Sequence, residues 1–169
     1  MFTLKIAVIA DTHLPKKAKK LPQSLINGIH GVNFIIHAGD WQTMELYEEL
    51  SLIAPVLGVS GNVDTPEIKD IVGEKLIIDK QGYKIGVVHG HLGKKRTTPE
   101  RALEAFKGEA LDLILFGHSH IPYKQYHGKT LLFNPGSPTD KRKQPQYSYG
   151  ILEFGETLKI NHHFYSIKD

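Results

Sequence analysis

Five short polar clusters in this chain are built from residue types that bind divalent metals. They are Asp11-Thr12-His13, His37-Ala38-Gly39-Asp40, Gly61-Asn62-Val63-Asp64, His89-Gly90-His91 and Gly117-His118-Ser119-His120. The chain contains no cysteine, which excludes disulfides, thiolate zinc sites and iron–sulfur clusters. A metal here would rest on imidazole, carboxylate and amide donors, a set suited to Mn, Fe, Co, Ni or Zn. Any one cluster alone is weak, because an isolated Asp-x-His is ordinarily a capping or surface pair and a lone histidine is ordinarily structural. Their placement gives them weight, since each follows an apolar run.

Those runs, at residues 5–10, 33–37, 55–60, 84–88 and 112–116, have the length and continuity of strands buried on both faces. Segments 21–29, 43–52 and 98–106 between them show helical spacing, with Pro22 near one start, Gly31 after its end, and Thr98-Pro99-Glu100 opening another. The alternation predicts an α/β fold with parallel pairing in its N-terminal half. In open α/β sheets ligands bind at the carboxyl ends of strands, so the clusters are expected to converge. Residues two apart on an extended chain point to one side, which would turn Asp11 with His13, and His118 with His120, toward one site. Gly39, Gly61 and Gly117 each precede a candidate ligand and let the backbone approach closely.

After residue 120 the pattern changes to short Tyr-, Phe-, Ile- and Thr-rich segments at 122–127, 130–133, 147–154 and 157–165. Turns at His127-Gly128-Lys129 and Gly155-Glu156 mark antiparallel hairpins. A second, mixed sheet packed on the first would bury them. The expected architecture is a single domain over residues 1–169, with two packed mixed β-sheets flanked by helices, a four-layer α/β/β/α sandwich.

Composition narrows the function without selecting it. A formal charge of +3, with 40% apolar and 23% charged residues, is that of an ordinary globular protein with a mild bias toward anionic partners. Nucleic acid is not favoured by it. Lys16-Lys17-Ala18-Lys19-Lys20 and Lys94-Lys95-Arg96 read as solvated loops. No stretch approaches the ~20 apolar residues of a membrane span, and residues 4–10 read as a strand rather than a signal peptide, so the cytoplasm is expected. There is no Walker A sequence, Gly-x-Ser-x-Gly elbow or Rossmann glycine fingerprint.

The series Asp11-x-His13, Gly39-Asp40, Gly61-Asn62, His89 and Gly117-His118-Ser119-His120 resembles the calcineurin-like metallophosphoesterase superfamily, in particular its compact, YfcE-like phosphodiesterase branch. The resemblance implies a two-metal site in which Asp11, His13 and His120 bind one ion, Asn62, His89 and His118 bind the other, and Asp40 bridges them. It further implies a hydroxide between the ions that attacks phosphorus in line, manganese as the first choice of metal with iron, nickel, cobalt or zinc open, and a phosphate-ester or nucleotide substrate. Asn134-Pro135-Gly136-Ser137 resembles a loop that shapes the site in this family.

One position departs from the pattern. In much of the superfamily a histidine follows the third-motif asparagine and helps protonate the leaving group, but here that place holds Val63. His91, two residues past His89, is the candidate substitute as acid or phosphate contact. His37 and Asp64 are expected to orient ligands, whereas His30, His127, His162 and His163 read as surface or packing residues. The alternatives to a phosphodiesterase are a phosphomonoesterase and an inactive binding scaffold, for which the retromer subunit of the same fold is the precedent. Exposed Tyr and Phe in the hairpins could serve an interface between copies.

Overall fold

The computed structural model describes residues 3–169. Its elements run β1 (Leu4–Ile9), α1 (Gln23–Ile29), β2 (Phe34–His37), α2 (Met44–Ser51), β3 (Val56–Gly58), α3 (Pro66–Val72), β4 (Lys75–Lys80), β5 (Tyr83–Val88), α4 (Thr98–Ala105), β6 (Leu113–Leu115), β7 (Tyr123–His127), β8 (Thr130–Asn134), β9 (Tyr147–Phe154) and β10 (Leu158–Tyr165). They form two five-stranded mixed sheets, ordered β10-β9-β1-β2-β3 and β4-β5-β6-β8-β7. Each has a parallel core, β1-β2-β3 in the first and β5-β6-β8 in the second, with antiparallel strands beside it.

Strand alternation explains the four layers. Leu4, Ile6, Val8 and Ala10 point between the sheets, while Ala7 and Ile9 point to the other face, toward Leu25, Ile29, Leu46 and Leu50 of the helices. In the second sheet Leu113 and Leu115 meet the first sheet, and Ile114 and Phe116 pack with Ala102 of α4 and with Phe106 just beyond it. Both faces of the central strands are therefore covered, which is why those strands read as unbroken apolar runs. Among the described residues no helix is long and apolar enough to cross a membrane.

The C-terminal hairpins divide between the two sheets. The β9–β10 hairpin extends the first sheet by pairing β9 with β1, and β7–β8 joins β4, β5 and β6 in the second. Two elements also went unread, α3 and the edge strand β4. The latter alternates exposed and half-buried residues. The helix at α4 does form as its opening residues predict, one residue earlier at its cap: Thr97 and Glu100 make a reciprocal capping box.

Candidate metal centre

The polar clusters meet at the carboxyl ends of the parallel strands. Asp11 and His13 follow β1, Asp40 follows β2, His89 follows β5, and His118 and His120 follow β6. Asp11, His13 and His120 offer ligand atoms within 4.8 Å of one another, and so do Asp40, His89 and His118. Each group draws on both sheets. Asp40 stands between the groups, its Oδ2 3.1 Å from His89 Nε2 and 3.5 Å from His13 Nε2. Asp11 Oδ1 lies 3.7 Å from both His89 Nε2 and His120 Nε2.

The convergence has a different local cause from the one the sequence suggested. Asp11 (φ 57°), His13 (φ 48°), Asp40 (φ 60°), His118 (φ 72°) and His120 (φ 63°) are all left-handed rather than extended. Such backbone costs a non-glycine residue on the order of 1–3 kcal/mol, and the surrounding hydrogen bonds hold it. His118 and His120 are split between the two groups instead of facing one point. The glycines act as expected by close approach: a Cβ on Gly39 would meet His89 Nδ1 at 2.5 Å, one on Gly61 would strike the Asp40 carboxylate, and one on Gly117 would meet Asp11 Oδ2 at 3.0 Å. Only Gly39 of the three also needs a positive φ, at 101°.

The surrounding shell fixes donors and tautomers. His89 Nδ1 contacts the Ala38 carbonyl at 2.8 Å and His120 Nδ1 contacts the Asp140 carbonyl at 2.6 Å. A carbonyl only accepts, so each Nδ1 carries a proton; the neutral His120 ring turns an Nε2 lone pair to the site, and His89 would do so once a cation displaces its Nε2 proton. His37 is buried, as expected. Its Nδ1 accepts from the Gly39 amide at 3.1 Å, and its Nε2 lies 3.0 Å from Thr12 Oγ1. Asp64 accepts from the amides of Asp40 (2.9 Å), Gln42 (3.0 Å) and Gly61 (2.7 Å), tying the turn after β2 to the turn after β3.

The loop after β8 was read as shaping the site, and its contacts give that role residues. Ser137 Oγ donates to Asp11 O at 2.8 Å and Thr139 Oγ1 donates to Thr12 O at 2.5 Å. Asn134 Nδ2 donates to Gly117 O and Ser119 Oγ, both at 3.1 Å. Thr139 and Asp140 lie beyond the segment the sequence singles out. The turn chemistry of Pro135-Gly136 marked the loop, but nothing in their own identities ties them to the site.

Whether this centre fits a metal is answered by its unpaired atoms. Both carboxylate oxygens of Asp11, and Nε2 of His13, His89 and His120, are buried with no hydrogen-bond partner. The 3.1 Å approach of His89 to Asp40 is off line for a hydrogen bond, so it does not relieve this. Several inward-facing lone pairs in one buried space are costly without a cation. Burial pushes the Asp11 carboxyl up to about 7 against the pull of His89. Burial also lowers His118 and His120 to about 4, so these rings are neutral donors. Burial opposes the charge on Asp40, yet His89 and the Val63 amide hold its carboxyl well below the ordinary range. Burial likewise works against a charged His89, but Asp40 and Asp11 raise it to about 9. The donor set fits divalent cations.

The remaining expected residues sit beside these donors. Asn62 is exposed in the turn between Gly61 and Val63, whose amide donates to Asp40 Oδ1 at 3.0 Å. The His91 ring lies 5.3 Å from that of His89 and 6.3 Å from that of His118, half-buried, with Nδ1 unpartnered. His162 is a packing residue, stacked on Phe133 at 4.4 Å.

Two neighbouring histidine-carboxylate groups, set at the strand ends of a double-sheet sandwich, form one candidate centre for metal ions. The family model for the calcineurin-like phosphoesterase superfamily domain matches residues 4–157, and the chain belongs to this superfamily. A probable metallophosphoesterase from Methanocaldococcus jannaschii is 35% identical over 140 residues, covering 83% of this chain and 71% of the relative. The phosphodiesterase YfcE of Escherichia coli is 29% identical over 115 residues, covering 63% and 57%. Among solved structures, Vps29 of Entamoeba histolytica complexed with zinc superposes with a TM-score of 0.77 at 22% identity, covering 95% of this chain and 99% of that one. That likeness shows the fold.

Proposed function

We propose that this chain is a two-metal phosphodiesterase, acting as one domain, in which Asp11, His13 and His120 hold one divalent ion, Asn62, His89 and His118 hold the other, and Asp40 is shared. The observation that carries the reading is the set of buried, partnerless donor atoms aimed into one space from both sheets. Manganese is the metal of choice for this nitrogen and oxygen set, and iron, nickel, cobalt or zinc would also fit. Phosphodiesterases among the relatives support a diester substrate.

Bound ions would supply charge neutralisation at the phosphate and a water nucleophile of lowered pKa. The protein's own residues do the rest. The carbonyls of Ala38 and Asp140 fix the His89 and His120 rings, and Asp64 fixes the turns that carry Asp40 and Asn62. In hydrolysis the water oxygen bonds to phosphorus, the ester P–O bond breaks, and the departing oxygen needs a proton. Val63 cannot supply one. His91 is the nearest imidazole outside the two donor groups with an unpartnered nitrogen, and we assign it that proton transfer.

The test is hydrolysis of bis-(p-nitrophenyl) phosphate by chelated protein after Mn²⁺ is restored, with Asp40→Asn as control. Metal-dependent release of nitrophenolate that vanishes in the variant is expected. No release with any of the candidate metals would end the reading. A second reading, a binding scaffold of the same fold, is favoured by Val63 at the usual acid position and by the likeness to Vps29. It predicts metal binding without turnover.

A further inference from the structure

Beside the donor groups, on the His120 side, lies an open hollow of about 430 Å³ lined by Ser119, Ile121, Lys141, Arg142, Lys143 and Gln144. Its wall is mostly carbon, and Ile121 is left 48% exposed there. The hollow borders the donor His120. Ser119 separates His118 from His120, and the Asp140 carbonyl next to Lys141 accepts from His120 Nδ1.

Three cations follow one another along this wall, and among the described residues none of them is held in an ion pair. The adjacent carboxylate, Asp140, is instead engaged by Lys17 at 3.9 Å. The stems of these side chains line the hollow, and their charges, all of one sign, gather counter-ions beside it. Arginine in particular matches the geometry of phosphate oxygens. The apolar floor asks for a flat carbon body attached to that anion.

We propose that this hollow is a second-anion subsite. It takes a further phosphate of a nucleotide-like phosphodiester, whose planar portion lies over Ile121 and the lysine stems while the scissile phosphate sits at the metal donors. The proposal rests on the phosphoesterase reading and narrows its substrate class.

The test is calorimetric titration of the Mn²⁺-loaded protein with adenosine 3′,5′-bisphosphate and with adenosine 5′-monophosphate. The bisphosphate is expected to bind about tenfold more tightly, the worth of one charge-assisted phosphate contact. That preference should disappear in Arg142→Glu/Lys143→Glu and shrink in the milder Arg142→Gln/Lys143→Gln pair, which guards against a folding defect. Equal affinities in the parent protein, or a preference that survives charge reversal, would overturn the subsite. Tight binding of a single-stranded oligonucleotide with no preference between the mononucleotides would overturn it in favour of nucleic acid. Because binding is read without turnover, inactivity toward every ester would sink the proposed activity alone and leave the subsite to the affinity ratio.

Discussion

Asp11 offers the sharpest test of the claim that this centre is built around cations. Its carboxyl is fully buried and raised from 3.8 to about 7 in the metal-free chain, chiefly by burial. A group whose pKa is higher in the folded state contributes stability at low pH and loses it as pH rises through the folded value. At about 1.4 kcal/mol per unit of pKa, ionised Asp11 should cost the metal-free fold about 3 kcal/mol more at about pH 8 than at about pH 5. His13, His37, His118 and His120 are all lowered by burial and act in the opposite direction, destabilising the fold in acid. The pH profile of the parent protein alone is therefore not diagnostic, and the difference between it and Asp11→Asn is. Urea denaturation in chelator should show the variant gaining on the parent by about 3 kcal/mol between those two pH values. Saturating Mn²⁺ should reverse the order, because ligand binding to the folded parent stabilises it by mass action. If the variant were less stable than the parent in chelator at about pH 8, or the difference did not change with pH, the reasoning would be wrong.

The other expectations concern the shell and the leaving group. Asp64→Ala removes the acceptor of three amides and should destabilise the fold by roughly 3 kcal/mol or more, while weakening Mn²⁺ about tenfold or more in metal titrations. Gly61→Ala places a methyl against the Asp40 carboxylate. It should leave a folded protein by circular dichroism whose kcat/KM on the nitrophenyl diester is down about a hundredfold, as expected for a misplaced catalytic group. His91→Ala should slow alkyl diesters, which need a protonated leaving group, about tenfold to a hundredfold more than nitrophenyl diesters. Equal effects on both would remove His91 from proton transfer.

The central strands were legible because burial on both faces writes continuous apolar runs, as in β1, β2, β5 and β6. The donor groups were legible because they follow those runs at the sheet edge where ligands collect. Strand β4 has a short apolar run of its own, Leu76-Ile77-Ile78, but its half-exposed alternation at the sheet edge sets it apart from the strands buried on both faces. Helix α3 escaped although its signals are present: Thr65 caps it, Pro66 opens it and Gly73 closes it. The left-handed turns at the donors were not legible either. Aspartate and histidine tolerate positive φ more than most residues, but tertiary hydrogen bonds, among them those of Thr12, Ser137 and Asp64, decide where it occurs. The allotment of hairpins to sheets is a long-range choice that local pattern does not encode.

Each donor group mixes the two sheets: Asp11 and His13 with His120, and Asp40 with His89 and His118. Any ion seated there would act as a rivet through both leaves of the sandwich. The apolar interface between the leaves resists separation but has little directional grip against sliding, and directional coordination would add that grip. Loading the centre should therefore stiffen the whole molecule rather than its rim, with slowed amide exchange in β1 and β6 alike.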